Sequence, residues 1–353
     1  MDRTLEFLKE LVDAHGVPGF EEDVAKVMQK HLKDVGSLSR DRLGSFICEK
    51  VGDAKGPRVM LAGHLDEVGF MVRSITKECF VKFLALGGWW GHVLLGQRLI
   101  IRTRKGDVLG VVGSKPPHEL REEDRKKVIE IKDMYLDVGA TSDWDVKKKL
   151  DIRPGDPIVP DSSFAVMANP NLLLAKAWDN RIGCALAAET AKRLVGQKHP
   201  NVLYAVATVQ EEVGLRGAKT SSSKVRPDVG LALDVGIAHD TPGTEGDERL
   251  GGGPLLVIYD SSSIPNRRLR DLVIETAESL EIALQFEAVE RGGTDAGRIH
   301  LSGEGVPTLS MGVAARYIHS HVSIIDRRDY EATVKLLVAV VKRLDHKTVA
   351  SLI

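Results

Sequence analysis

Apolar positions recur at helical spacing twice near the start of the chain. Leu5, Leu8, Leu11 and Val12 form one stripe, and Val24, Val27, Met28 and Leu32 form another. Each predicts a helix with one buried face. Between them, GVPGF is a Gly/Pro break that predicts a turn. PRVMLAG follows as a short continuous apolar run, a buried strand leading straight into the polar string HLDE. Over residues 71–166 the rhythm changes. FVKFLALGG, QRLIIRTRKGDVLGVVG, MYLDVGA and DIRPGDPIVP are short extended runs punctuated by Gly, Pro and Asp. RLIIRTRKGDVLGVV predicts two strands around a Lys-Gly turn.

After residue 167 helical and extended patterns alternate. NRIGCALAAETAKRLV, NRRLRDLVIETAESLEI and YEATVKLLVAVVKRLDHK carry helical periodicity, and NVLYAVATV, DVGLALDVG and GVPTLSMGV are strand-like. Strands alternating with helices of this length predict a three-layer α/β sheet. The architecture expected is discontinuous: residues 1–70 plus 167–353 build the α/β domain, and residues 71–166 are a β-rich barrel or sandwich inserted into it.

Composition narrows the classes. The 353 residues are 43% hydrophobic, enough for a sizeable core, and 49 Lys plus Arg balance 50 Asp plus Glu. Nothing in that balance calls for nucleic acid or an anionic membrane. Mixed runs such as ELREEDRKK and DVKKKLD are solvated faces. Cys48, Cys79 and Cys184 lie far apart without a CxxC pair, which disfavours a disulfide framework and a zinc–thiolate site. MDRTLEFLKE is charged and helical rather than a signal peptide, and no apolar run approaches the ~20 residues that span a bilayer. The expectation is a cytoplasmic protein without a membrane partner.

Ligands of open α/β sheets bind at the carboxyl ends of the strands, so polar residues beyond apolar runs are the candidates. His64 and Asp66 stand at i, i+2 after PRVMLAG, on one side of an extended chain. An Asp beside a metal-bound His can fix its tautomer; a self-satisfied buried pair is the alternative. Asp179, in AKAWDNRIG, precedes a helix and taken alone reads first as an N-cap. Glu211 and Glu212 follow the apolar strand AVATV. Two carboxylates there repel and are costly to desolvate, so either the turn is exposed or a metal uses one while the other takes a proton. Asp234 follows GLAL, and His319 lies in ARYIHSHVSIID with His321 two residues on. Singly each is weak. Together they offer imidazole and carboxylate donors suited to Zn²⁺, Co²⁺ or Mn²⁺. Five ligands exceed the three of an open catalytic zinc. With one carboxylate bridging, they give each of two metals three protein donors, the arithmetic of a two-metal hydrolase. No GxSxG, HExxH, Walker or GxGxxG motif competes. RGGTDAG reads as a loop near the pocket, with Thr294 and Asp295 in support.

GHLDEVGF, KAWDNR, QEEVGLRGA, ALDVG, GGTDAG and RYIHS, in this order, resemble the M42 family of metallo-aminopeptidases, the TET or glutamyl-aminopeptidase-like group. The resemblance covers nearly the whole chain. It implies a phosphorylase/hydrolase-like α/β catalytic domain with an inserted β-barrel that mediates dimerisation. It implies two divalent metal ions per subunit, Zn or Co, acting on peptide substrates. His64, Asp179 and Asp234 would hold one ion, and Asp179, Glu212 and His319 the other. Glu211 would be the general base, and Asp66 would orient His64. It also implies a homo-oligomer, with dimers assembling into tetrahedral dodecamers. The alternatives are an endoglucanase-type glycoside hydrolase, which would leave two histidines idle and has few aromatics (5%) to stack on sugars, a related metal-dependent N-acyl amidohydrolase, and a non-enzymatic shell or binding protein.

Overall fold

The computed structural model describes residues 2–353. Its centre is an 11-stranded mixed sheet. Four strands in the middle run parallel, in the spatial order Val202–Thr208, Arg58–His64, Val229–Ile237, Thr308–Arg316. All four are almost wholly buried, the mark of a sheet covered on both faces.

One face carries the helices Arg3–Asp13, Glu22–Leu32, Trp178–Arg193, Arg267–Ser279 and Arg327–Arg343, whose apolar stripes meet the sheet in the main core. The stripe Leu8, Leu11, Val12 of the first helix and Val24, Met28, Leu32 of the second are fully buried there. Asp2, Asn266 and Asp326 cap three of these helices through side-chain oxygens. The opposite face is covered by the helix Arg216–Val225 and the short turn of helix Ala296–Ile299, packed through Ala218, Val225 and Ile299 on Met60, Ala62 and Val206.

Six strands, Gly69–Ile75, Val81–Leu86, Arg98–Thr103, Gly106–Gly113, Tyr135–Asp137 and Pro157–Pro160, close into a barrel inserted between the second and third helices. It has its own core of Phe70, Val72, Val81, Phe83, Leu99, Ile101, Leu136 and Ile158. The three-layer α/β unit with an inserted barrel is therefore the fold. The sheet is wider than the apolar pattern predicts. Ser37–Arg40, Phe46–Val51, Leu255–Asp260 and Gln285–Val289 add strands towards its edges. The helix Arg216–Val225 also escapes that pattern, because RGAKTSSSKV is rich in serine, a weak helix former; buried Ser221 donates back to the Ala218 carbonyl at 3.3 Å. Among the described residues no helix is long and apolar enough to cross a membrane, and the three cysteines are free and buried.

Candidate metal centre

The candidate residues converge because parallel register brings strand ends level. His64, the last residue of its strand, pairs with Thr208, so the turn that follows, with Glu211 and Glu212, folds beside it. Asp234 lies on the neighbouring strand at the level of Gly312. Gly63 makes the approach tight: a Cβ there would strike the backbone of Gly183 and Cys184 in the helix behind. Only a residue without a side chain lets His64 come this close to the helix that carries Asp179.

Asp179 does not cap its helix. Asp179 and Asn180 have non-helical dihedrals. Asn180 takes the capping role, its Oδ1 accepting from the Gly183 N–H at 2.9 Å while its Nδ2 donates to the Leu233 carbonyl at 2.8 Å. That second bond ties the helix start to the strand of Asp234 and leaves the Asp179 carboxylate free to face the cluster. Its two oxygens lie 3.2 Å from His64 Nε2 and 3.2 Å from His319 Nε2.

Ligand atoms of His64, Asp179 and Asp234 all lie within 4.8 Å of one another, and so do those of Asp179, Glu212 and His319. Asp179 is common to both groups. His319 Nε2 is 3.7 Å from Glu212 Oε2, and its other nitrogen sits 3.0 Å from the carbonyl of Gly88, which belongs to the turn after a barrel strand. The barrel thus helps to orient one of the histidines. Glu211 stands on the other side, its Oε2 3.8 Å from His64 Nε2.

Asp66 is placed differently from the simple expectation of a carboxylate on His64. The His64 Nδ1 has the backbone carbonyl of Asp66 at 3.0 Å and its carboxylate only at 3.6 Å. The carboxylate instead accepts the backbone N–H of Glu211 at 3.0 Å and of Glu212 at 3.1 Å. One buried residue therefore fixes the His64 ring through its main chain and the twin-glutamate turn through its side chain. His321 does not join the cluster. It is buried with its ring 5.5 Å from that of Trp89, edge to face. Asp295 lies beneath the site, accepting from Thr208 Oγ1 at 2.5 Å, and Thr294 lines the cavity wall.

Several backbone positions that aim these side chains are left-handed although none is glycine: Ala177, Gln210, Leu215, Tyr317 and His319. Each costs on the order of 1–3 kcal/mol, so the surrounding structure over-determines them. Glu21 is one such support, its Oε1 accepting the N–H of Gln210 at 3.0 Å.

The electrostatics ask for positive charge. Burial pushes Glu212 up to about 8, with Asp179 adding to it, and burial raises Glu211 and Asp234 well above the usual carboxylate range. Burial opposes ionisation of His64, but Glu211, Asp179, Asp66 and Asp234 outweigh it and lift the imidazole well above its ordinary value. Without a cation the cluster must bind protons instead. Glu212 Oε1 is buried and has no hydrogen-bond partner. Two overlapping three-donor groups of imidazole and carboxylate, an orphaned carboxylate oxygen and acids strained by burial together fit divalent metals. The cluster opens into a cavity of about 560 Å³.

A support whose pairing no local pattern announces lies just behind. Glu67 Oε1 meets Lys176 Nζ at 2.5 Å and Arg181 Nη2 at 3.1 Å, all three side chains at most 2% exposed. Arg181 also donates to the carbonyls of Leu11, Ala14 and Gly16. This buried knot pins the first helix, the segment after His64 and the approach to Asp179 to one another.

Known proteins resemble this chain along nearly its whole length. Residues 44–336 match the family model described as M42 glutamyl aminopeptidase. The chain is 36% identical over 349 residues to the glutamyl aminopeptidase of Lactococcus lactis, covering 98% of each. The crystal structure of a TET aminopeptidase from a marine-sediment thaumarchaeote superimposes with a TM-score of 0.97 at 44% identity over 100% of both chains. The TET1 peptidase of Pyrococcus horikoshii, described as able to assemble into a tetrahedron or a large octahedral shell, gives 0.86 at 32% identity, covering 97% of this chain and 100% of that one.

Proposed function

The chain belongs to the M42 glutamyl aminopeptidase family and is an aminopeptidase, and we propose that it works with two divalent metal ions. His64, Asp179 and Asp234 would hold one ion, and Asp179, Glu212 and His319 the other. The observation that carries this reading is the pair of donor groups sharing one carboxylate. The donors suit Zn²⁺ or Co²⁺. Bound there, such ions supply Lewis acidity towards water and towards a peptide carbonyl.

Glu211 is the base. Of the two glutamates it lies farther from His319 and nearer His64, outside both donor groups, and burial favours its taking a proton. It accepts the proton of the attacking water and returns it to the departing amine. Asp66 holds the turn so that Glu211 and Glu212 keep separate tasks. The free α-amine of the peptide docks at the acidic end of the cavity, which restricts attack to the first peptide bond. The glycosidase alternative leaves His64 and His319 without work, whereas both are engaged with Asp179.

Glu211→Gln tests the assignment. It should keep both metals by elemental analysis and lower kcat by about 10²–10⁴-fold; near-normal kcat on aminoacyl anilides would refute the role. The inserted barrel serves dimerisation in this reading. Leu109 and Val111 project from one side of the strand Gly106–Gly113 at 50% and 42% exposure, apolar surface of the kind that partners cover. Dimers then build a closed homo-oligomer; the TET1 peptidase is described as able to assemble into a tetrahedron or a large octahedral shell. Three reduced, buried cysteines suit a cytoplasmic setting.

A further inference from the structure

Three charged groups that the proposed chemistry does not use line the cavity beside the candidate metal centre: Asp260, Glu287 and Arg291. Both Asp260 oxygens are taken up by Ser262, Ser263 and Thr294. Glu287, on the strand Gln285–Val289, is 5% exposed and lines the cavity wall. Its Oε1 accepts the N–H of Ile237 at 3.0 Å, and its Oε2 has no partner. Asp234 and Gly236 point to the same side of their strand. At Gly236 a side chain would overlap Glu287 Oε2 and Leu255, so the missing side chain is what makes room for the carboxylate on Asp234's side of the sheet. The neighbouring walls are apolar: Val235, Ile237, Val289 and Ile318.

We propose that Glu287 selects substrates whose first residue is lysine or arginine. The inference rests on the aminopeptidase reading of the same site. An aliphatic stem with a cationic tip matches apolar walls that end at an orphaned carboxylate. A buried anion without a full set of partners is costly, and a cation brought by the substrate removes that cost. Arg291 is the competing group at this cavity and would favour an acidic first residue. It is exposed, so water and salt screen its charge, whereas Glu287 acts in a desolvated wall where charge pairing counts for more. Glu248, an acid that repels Glu287 from nearby, is already paired with His239 at 2.8 Å.

The test is a kcat/KM panel on Lys-, Arg-, Leu- and Glu-p-nitroanilides with the metal-loaded enzyme. Lys and Arg should exceed Leu and Glu by about tenfold or more. Glu287→Gln keeps an oxygen for the Ile237 N–H, and it should reduce the Lys-to-Leu ratio by at least about tenfold. A merely structural role would lower both substrates together and leave the ratio unmoved, which overturns the proposal. So does a wild-type preference for Leu or for Glu, the latter assigning the pocket to Arg291. Should the variant not fold, competitive inhibition of the wild type by free lysine against norleucine decides the same question: lysine must bind more tightly, and equal or weaker binding overturns the proposal. Failure of the underlying reading is distinct, since then no anilide is turned over with any metal.

Discussion

Replacing Glu67 should be far more damaging than replacing Lys176, although the two form one ion pair. The buried knot holds one carboxylate against two cations, so it carries a net positive charge in the interior. Glu67→Gln leaves Lys176 and Arg181 facing each other with no anion, and breaking a buried pair from one side costs about 3–5 kcal/mol. Lys176→Met leaves Glu67 and Arg181 as a one-to-one pair and fills the same space with an apolar chain. Its losses are the salt bridge and the 3.1 Å bond from Nζ to the Ala14 carbonyl. Against them stands relief of a buried charge. Burial, opposed by Glu67 and reinforced by Arg181, lowers Lys176 from 10.5 to about 8. A displacement of that size disfavours the charged form in the fold by about 3 kcal/mol.

The pH signature separates this account from simple packing. Below pH 8 both folded and unfolded chains hold the Lys176 proton, and the cost of burying it is present in full. Between pH 8 and 10.5 only the unfolded chain holds it, so stability rises with pH. Above 10.5 the contribution is constant. The stability of the wild type relative to Lys176→Met should therefore improve by about 3 kcal/mol from about pH 7.5 to 10.5. Guanidinium unfolding of the metal-free proteins, followed by tryptophan fluorescence, reads this directly, because Trp178 is fully buried in the helix that carries Arg181. Refutation would be a pH-independent difference, or Glu67→Gln proving no less stable than Lys176→Met.

Two further outcomes test the site itself. Asp66→Asn replaces a carboxylate whose two oxygens each accept one N–H by an amide that sets a donating NH₂ against one of them, and it should weaken metal binding by about 10–100-fold in chelator competition; unchanged affinity would mean that the turn of Glu211 and Glu212 holds itself. His319→Ala removes a donor from only one of the two groups, so elemental analysis after dialysis should fall from two ions per chain towards one, while loss of both or of neither would contradict the division of ligands.

The proposed metal ligands are legible in the sequence because each breaks a local rule. His64, Asp234 and the Glu211–Glu212 pair interrupt apolar strands where a solvated residue has no reason to sit, and the register of parallel strands brings such interruptions to one edge. Asp179 is ambiguous for a good reason: Asp before a helix is an ordinary cap, and only the structure reveals that Asn180 caps in its place. Lys176 and Glu67 stand inside the motifs KAWDNR and GHLDEVGF, but nothing there says that they pair. Each is a common charged residue whose burial depends on a partner 109 positions away, and no local pattern reports that. The left-handed residues Ala177, Gln210 and His319 are equally silent, since sequence marks such conformations only where glycine or asparagine occupies them.

These silent features are what convert a set of donors into a site. Five side chains with the right chemistry, hung on relaxed strands and ordinary caps, would point apart: adjacent Glu211 and Glu212 would face opposite sides of a strand, and Asp179 would turn back to its own helix. Asp66 bends the glutamates into one turn, Asn180 releases Asp179, the Gly88 carbonyl holds His319, and the Glu67 knot fastens the segments that carry them. The strained conformations and crowded carboxylates are costs of that arrangement, and they fall hardest on the protein without cations. Metal affinity, on this view, depends on the rigidity of groups that never touch the ions. That is why Asp66→Asn, which leaves all five proposed ligands in place, is expected to weaken binding at all.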